Sequence, residues 1–132
     1  MHTRRARIRV LVAESNPHLR SVLSWSLAQD ARFQVVAEVS DGDEAASCTA
    51  DFDVALLDLS ISGLGGPGTL ARLQQRRPAP AVVLISGTDA VYLRHAAAAE
   101  GAADFLVRPL EPPVLADRLV TAVARTAPLA KR

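Results

Sequence analysis

Glu14, Asp58, Ser86 and Arg108 each stand where a short apolar run gives out. Two carboxylates brought close repel one another unless a cation sits between them. A hard divalent ion such as Mg2+, which favours oxygen ligands and keeps several waters, is the natural partner for Glu14 and Asp58. Ser86 adds a hydroxyl donor and Arg108 a fixed positive charge. Gathered together, the four side chains make a pocket suited to a phosphoryl group carried on a carboxylate.

The elements that must gather them are legible in the hydrophobic pattern. Apolar runs at Ile8 to Ala13, Phe33 to Val39, Val54 to Leu59, Ala81 to Ile85 and Asp104 to Val107 are short enough for buried strands. Asn16 and Pro17 open a first helix, since Asn caps orphan backbone donors and Pro suits the first helical position. Its expected apolar stripe is Leu19, Val22, Leu23 and Leu27. An Ala-rich helix is expected to run through Cys48, a third helix from near Pro67 to Arg76 and Arg77, a fourth to end at Gly101, and a fifth to carry Val114, Leu115, Leu119 and Val123.

Strands apolar on both faces, alternating with helices, predict a doubly wound α/β fold: a five-stranded parallel sheet covered by helices on both faces, about two against three. Ligands in such sheets gather beyond the carboxyl ends of the strands, at the switch point in strand order. In the flavodoxin-like order 2-1-3-4-5 the first and third strands are neighbours, which puts Glu14 and Asp58 in one crevice.

At 132 residues the chain is expected to be one domain, residues 1–125, with 126–132 as a tail or the start of a linker. Apolar residues at 49% against 22% charged fit a globular protein, and no apolar run approaches the roughly 20 residues of a spanning helix. The basic and then apolar start lacks a small-residue cleavage site and reads as a strand, so the expected location is cytoplasmic. A formal charge of +1 gives no field toward nucleic acid, and Arg4, Arg5, Arg7 and Arg9 read as a solvated terminus. Cys48, the one cysteine, reads as a buried spectator thiol, His2, His18 and His95 as surface residues, and Trp25 as partly core. Gly63, Gly65 and Gly68 spell G-x-G-x-x-G, yet they follow the third strand and lack the acid a dinucleotide site needs, so they read as a flexible loop beside the pocket.

Four stretches in order, VLVAESNPHLR, DVALLDLSISGLGG, VVLISG and GAADFLVRPLEPPVL, give the whole chain from about residue 7 to 125 its likeness. It resembles the response-regulator receiver domain, the CheY-like fold of two-component signalling. The resemblance implies that Asp58 accepts a phosphoryl group from a sensor histidine kinase. It implies that the Ser86 hydroxyl turns toward that group, that the Ser60 backbone carbonyl joins Glu14 and Asp58 around Mg2+, and that Phe105 holds the aromatic switch position. A homodimer and a DNA-binding output domain outside this chain are the further partners it implies, with no membrane, and the domain is not expected to be an enzyme.

The sequence departs from the family inside the pocket. Ser15 replaces an acid, which removes a metal-facing charge and predicts weak Mg2+ binding. Arg108 replaces a lysine and could pair directly with Asp58, and Ile61 and Ser62 stand in place of Met and Pro. An atypical receiver acting as a phosphorylation-independent interaction or dimerisation module is therefore the alternative. A flavodoxin-like cofactor binder is disfavoured, because ESNPHL is not the Ser/Thr/Gly-rich loop a flavin phosphate needs.

Overall fold

The computed structural model describes residues 6–126. Its elements alternate: β1 (Ile8–Ala13), α1 (Pro17–Ala28), β2 (Phe33–Val39), α2 (Gly42–Ala46), β3 (Val54–Asp58), α3 (Gly65–Leu73), β4 (Ala81–Ser86), α4 (Val91–Ala99), β5 (Asp104–Val107) and α5 (Pro112–Thr126). The strands form one parallel sheet in the order β2-β1-β3-β4-β5, the doubly wound arrangement expected. Side-chain alternation divides the core. Val10, Val12, Val54, Leu56, Val83, Ile85 and Leu106 pack on one face with Leu27 of α1 and Leu115 and Leu119 of α5. On the other face Leu11, Ala55, Leu57, Val82, Leu84 and Phe105 meet Ala45 of α2, Leu70 and Leu73 of α3, and Ala97 of α4.

Local chemistry fixes the helix starts. Asn16 caps α1, its Oδ1 accepting from the Leu19 amide at 3.0 Å, with Pro17 in the first turn. Asp41 caps α2 through the Glu44 amide at 2.8 Å.

Several boundaries and exposures differ from the pattern reading. Helix α2 stops at Ala46, where the Ser47 hydroxyl also bonds back to the Asp43 carbonyl at 2.9 Å, and Cys48 is half-buried against the core rather than fully inside. Helix α3 begins at Gly65 and ends at Leu73. Beyond it the backbone tightens, with the Gln75 and Arg76 amides bonding three residues back. The Arg76 guanidinium then leaves to hold the Cys48 and Ala50 carbonyls while lying 4.5 Å over the Phe52 ring. The buried stripe of α1 runs through Leu23, Ser24 and Leu27, which turns Val22 and Trp25 to solvent; Trp25 is 67% exposed and is not core. His18 and His95 are exposed as expected. Arg9 is an ion-pair partner of Asp53 at 2.9 Å rather than part of a free basic cluster. Arg4, Arg5, His2 and the tail beyond Thr126 lie outside the described residues.

Candidate functional site

Strand register sets the heights of the site residues. Ala13 pairs with Leu57, so Glu14 comes level with Asp58. Asp58 pairs with Ile85, which puts Ser86 one residue higher, and Ser86 pairs with Val107, which puts Arg108 one higher again. Parity along the strands assigns Glu14, Asp58 and Arg108 to the face of α1 and α5, and Ser86 to the opposite face. With about 3.3 Å of rise per residue, a side chain at 108 must reach back some 7 Å to meet Asp58, so only a long one can do so.

The two carboxylates are buried, Glu14 3% exposed and Asp58 6%. Asp58 Oδ1 accepts from the Ser60 amide at 3.0 Å and from the Ser60 hydroxyl at 3.1 Å. Glu14 Oε2 accepts from the Asn16 amide at 3.0 Å, while its Oε1 is buried without a hydrogen-bond partner. Burial first, and then the Asp58 carboxylate beside it, push the Glu14 carboxyl above the usual glutamate range; the Asn16 amide and Arg108 act in the opposite direction. Arg108 Nη1 stands 3.7 Å from Asp58 Oδ1 and 3.9 Å from Glu14 Oε1, and it too is buried without a hydrogen-bond partner.

Asp58, Ser60, Ser86, Thr88 and Arg108 border a cleft of about 330 Å³, with Glu14 set behind it. The Ser86 hydroxyl is engaged with its own turn, donating to the Thr88 carbonyl at 2.9 Å and accepting from the Thr88 amide at 3.0 Å. The β3–α3 loop is tied down beside it. Ser62 donates its amide to Ser15 Oγ at 2.9 Å, the two hydroxyls lie 3.2 Å apart, and the Gly42 amide donates to the Ser62 carbonyl at 2.9 Å.

The sequence matches the family model of the response regulator receiver domain over residues 10–120. The chain belongs to that family. Transcriptional regulatory protein TcrA of Mycobacterium tuberculosis is 31% identical over 124 residues, covering 92% of this chain and 48% of that protein. A protein-glutamate methylesterase/protein-glutamine glutaminase of Symbiobacterium thermophilum is 35% identical over 105 residues, 77% of this chain and 29% of that protein. This receiver thus spans about half or less of the length of these relatives. The signal receiver domain of NarL from M. tuberculosis superposes with a TM-score of 0.84 at 27% identity, covering 89% of this chain and 97% of that one.

Receiver domains generally bind Mg2+ at this acidic pocket, and the residues of this receiver fit a cation in part. The buried Oε1 of Glu14, without a hydrogen bond and beside the Asp58 carboxylate, is a position a cation would suit, and the Arg108 guanidinium only partly meets that need at 3.9 Å. The donor set is nevertheless thin. Ser15 Oγ is spent on Ser62, and among the described residues no group of three or more His, Cys, Asp or Glu side chains is placed to hold a metal.

Four contributors escaped the sequence reading. Arg20 of α1 donates to the Glu14 carbonyl at 2.7 Å and fixes the end of β1. Ser62 is the partner of Ser15. Gly66, outside the G-x-G-x-x-G triple, lies so close to the Leu59 backbone that a Cβ would collide with it, while Gly63 and Gly65 hold positive φ of 77° and 75°. Arg94 stacks 5.2 Å over the Phe105 ring and donates to its carbonyl at 3.3 Å. Phe105 itself is 5% exposed on the α4 side, and no periodicity in the sequence names its cover.

Proposed function

We propose that Asp58 is the phospho-acceptor of this receiver, taking a phosphoryl group from a phosphohistidine of a sensor kinase. The P–N bond of the donor breaks as a P–O bond forms to the Asp58 carboxylate, and the donor histidine leaves as imidazole. The observation that carries this reading is the buried Asp58 carboxylate at the end of β3, bordering an open cleft that also holds Ser86 and Arg108. Ser60 aims the carboxylate by holding Oδ1 through both its amide and its hydroxyl, and Oδ2 is the oxygen that takes the phosphorus on this reading. The Ser86 hydroxyl, freed from its Thr88 turn, donates to the arriving group, and the Arg108 guanidinium supplies charge-assisted donors. Glu14, Asp58 and the Ser60 backbone carbonyl would hold Mg2+, which would neutralise charge on the phosphoryl oxygens; Ser15 adds no charge to that set, so the binding would be weak.

Phosphorylation adds charge and acceptor oxygens at the head of the β4–α4 loop, which Asp89 and Arg94 link to Phe105. We read α4, β5 and α5 as the responding face. The receiver is not an enzyme in its own right on this reading. A DNA-binding output domain outside this chain fits the regulatory name of TcrA, and a homodimer is the second partner. A cytoplasmic setting goes with this role, and among the described residues no helix is long and apolar enough to cross a membrane.

The test is to incubate the protein with Mg2+ and acetyl phosphate and weigh it intact. A gain of one phosphoryl group on wild type and none on Asp58→Asn is expected. No gain on wild type under forcing conditions removes this reading and leaves the second, a phosphorylation-independent interaction module. What favours that second reading is the position of Arg108, already beside the acceptor.

A further inference from the structure

We propose that Arg108 is a resident counter-cation that occupies the cation position between Glu14 and Asp58, so that a divalent ion and the guanidinium exclude one another. This rests on the reading of Glu14 and Asp58 as the divalent-ion ligands, and it does not depend on whether Asp58 is phosphorylated.

The geometry points to competition rather than cooperation. Nη1 of Arg108 lies within 4 Å of one oxygen from each carboxylate, 3.7 Å from Asp58 Oδ1 and 3.9 Å from Glu14 Oε1. Those two oxygens therefore share one guanidinium nitrogen as their nearest positive charge. Neither contact reaches hydrogen-bond length, and both Nη1 and Oε1 are buried without partners, so the guanidinium balances charge without being locked in place. Its side chain is 30% exposed, which leaves a route for it to swing out along the cleft it borders. A hard divalent ion brings a water shell and close oxygen contacts that leave no room for an NH2 group at the same point. The Ser15 hydroxyl, turned to Ser62, offers no further anionic ligand to offset the loss of the guanidinium. Residue 108 therefore sets the divalent-ion affinity of this pocket.

Two measurements on the full chain, without any phosphoryl donor, decide it. Mn2+ binding is followed by electron paramagnetic resonance on wild type, Arg108→Met and Asp58→Asn, with folding of each checked by circular dichroism; Arg108→Gln replaces the Met variant if that one does not fold. Removing the resident charge should tighten Mn2+ at least about tenfold, the scale expected for a like charge at this distance in a partly buried site. Asp58→Asn should weaken it. In parallel, the Arg108 Nε–Hε resonance, assigned by its loss in Arg108→Met, should move with Mg2+ along the binding isotherm as the guanidinium is displaced. Unchanged Mn2+ affinity in the neutral variants overturns the proposal, as does undiminished binding by Asp58→Asn. A tighter Arg108→Met with a wild-type Arg108 resonance unmoved at saturating Mg2+ also overturns it, since that outcome means repulsion at a distance without shared occupancy. Failure of phosphoryl uptake alone touches only the acceptor role of Asp58.

Discussion

Arg108 Nη1 stands 3.7 Å from Asp58 Oδ1, inside ion-pair range and outside hydrogen-bond range. The spacing follows from the stagger of β3, β4 and β5, which lifts residue 108 two steps above Asp58 and makes the guanidinium reach downward. Such a contact balances charge without a hydrogen bond between the guanidinium and the carboxylate. It also leaves Glu14 and Asp58 sharing one cation, and the stability of the pocket turns on that shortage.

Replacing Glu14 by Gln should raise the melting temperature by a few degrees at neutral pH. Its carboxyl is held above the usual glutamate range, so the folded chain binds that proton more tightly than the unfolded chain does. The stability this contributes is fully present at acid pH and is lost as pH rises through the raised value. The advantage of Glu14→Gln should accordingly shrink as pH falls toward the ordinary glutamate range. Melting curves across pH check it, and a Glu14→Gln protein less stable than wild type at neutral pH contradicts it.

Ser15→Ala should destabilise the fold by about 1 kcal/mol, because the Ser62 amide loses its acceptor. Denaturant midpoints measure the loss, and hydrogen exchange should show the Ser62 amide opening faster while the α1 amides keep their rates. Equal exchange at Ser62 in both proteins would mean that the hydroxyl does not hold the β3–α3 loop.

Two neighbouring glycines should respond differently to Ala. At Gly66 a Cβ meets the Leu59 backbone, which cannot move away as a flexible side chain could, and a loss of about 2 kcal/mol or more is expected. At Gly65 the space is open and only the φ of 75° is at stake, so about 1 kcal/mol is expected. Thermal melts of the pair give the order, and Gly65→Asn should recover part of the smaller loss.

Arg94→Met removes the stacking over Phe105, the bond to its carbonyl and the pair with Asp89 at 2.7 Å. The cost should be modest, about 0.5–1 kcal/mol, since the site is partly exposed. Faster hydrogen exchange in the β4–α4 loop and at Phe105, with α1 unaffected, is the expected signature. Unaltered exchange there would separate Arg94 from the path that joins the cleft to β5.

The sequence alone determined what is local and periodic. Runs apolar on both faces specify buried parallel strands, Asn16 specifies the start of α1, and an acid is placed at the end of β3. That was enough to place Glu14 and Asp58 together, because one step of register joins neighbouring strands of known order. That Ser15 brings no acidic ligand was legible too. Where Ser15 turns instead was not, because its partner is 47 residues away and the contact depends on how the β3–α3 loop docks on β1. Likewise Val22 and Trp25 keep a helical spacing with buried residues, and only the packed rotation of α1 shows them outside. Gly66, in the first turn of α3, is hidden among neighbouring glycines until the Leu59 backbone passes beside it. The tertiary structure decided the distance of Arg108 from both carboxylates, since that distance is a sum of strand stagger, side-chain length and burial that no single segment encodes.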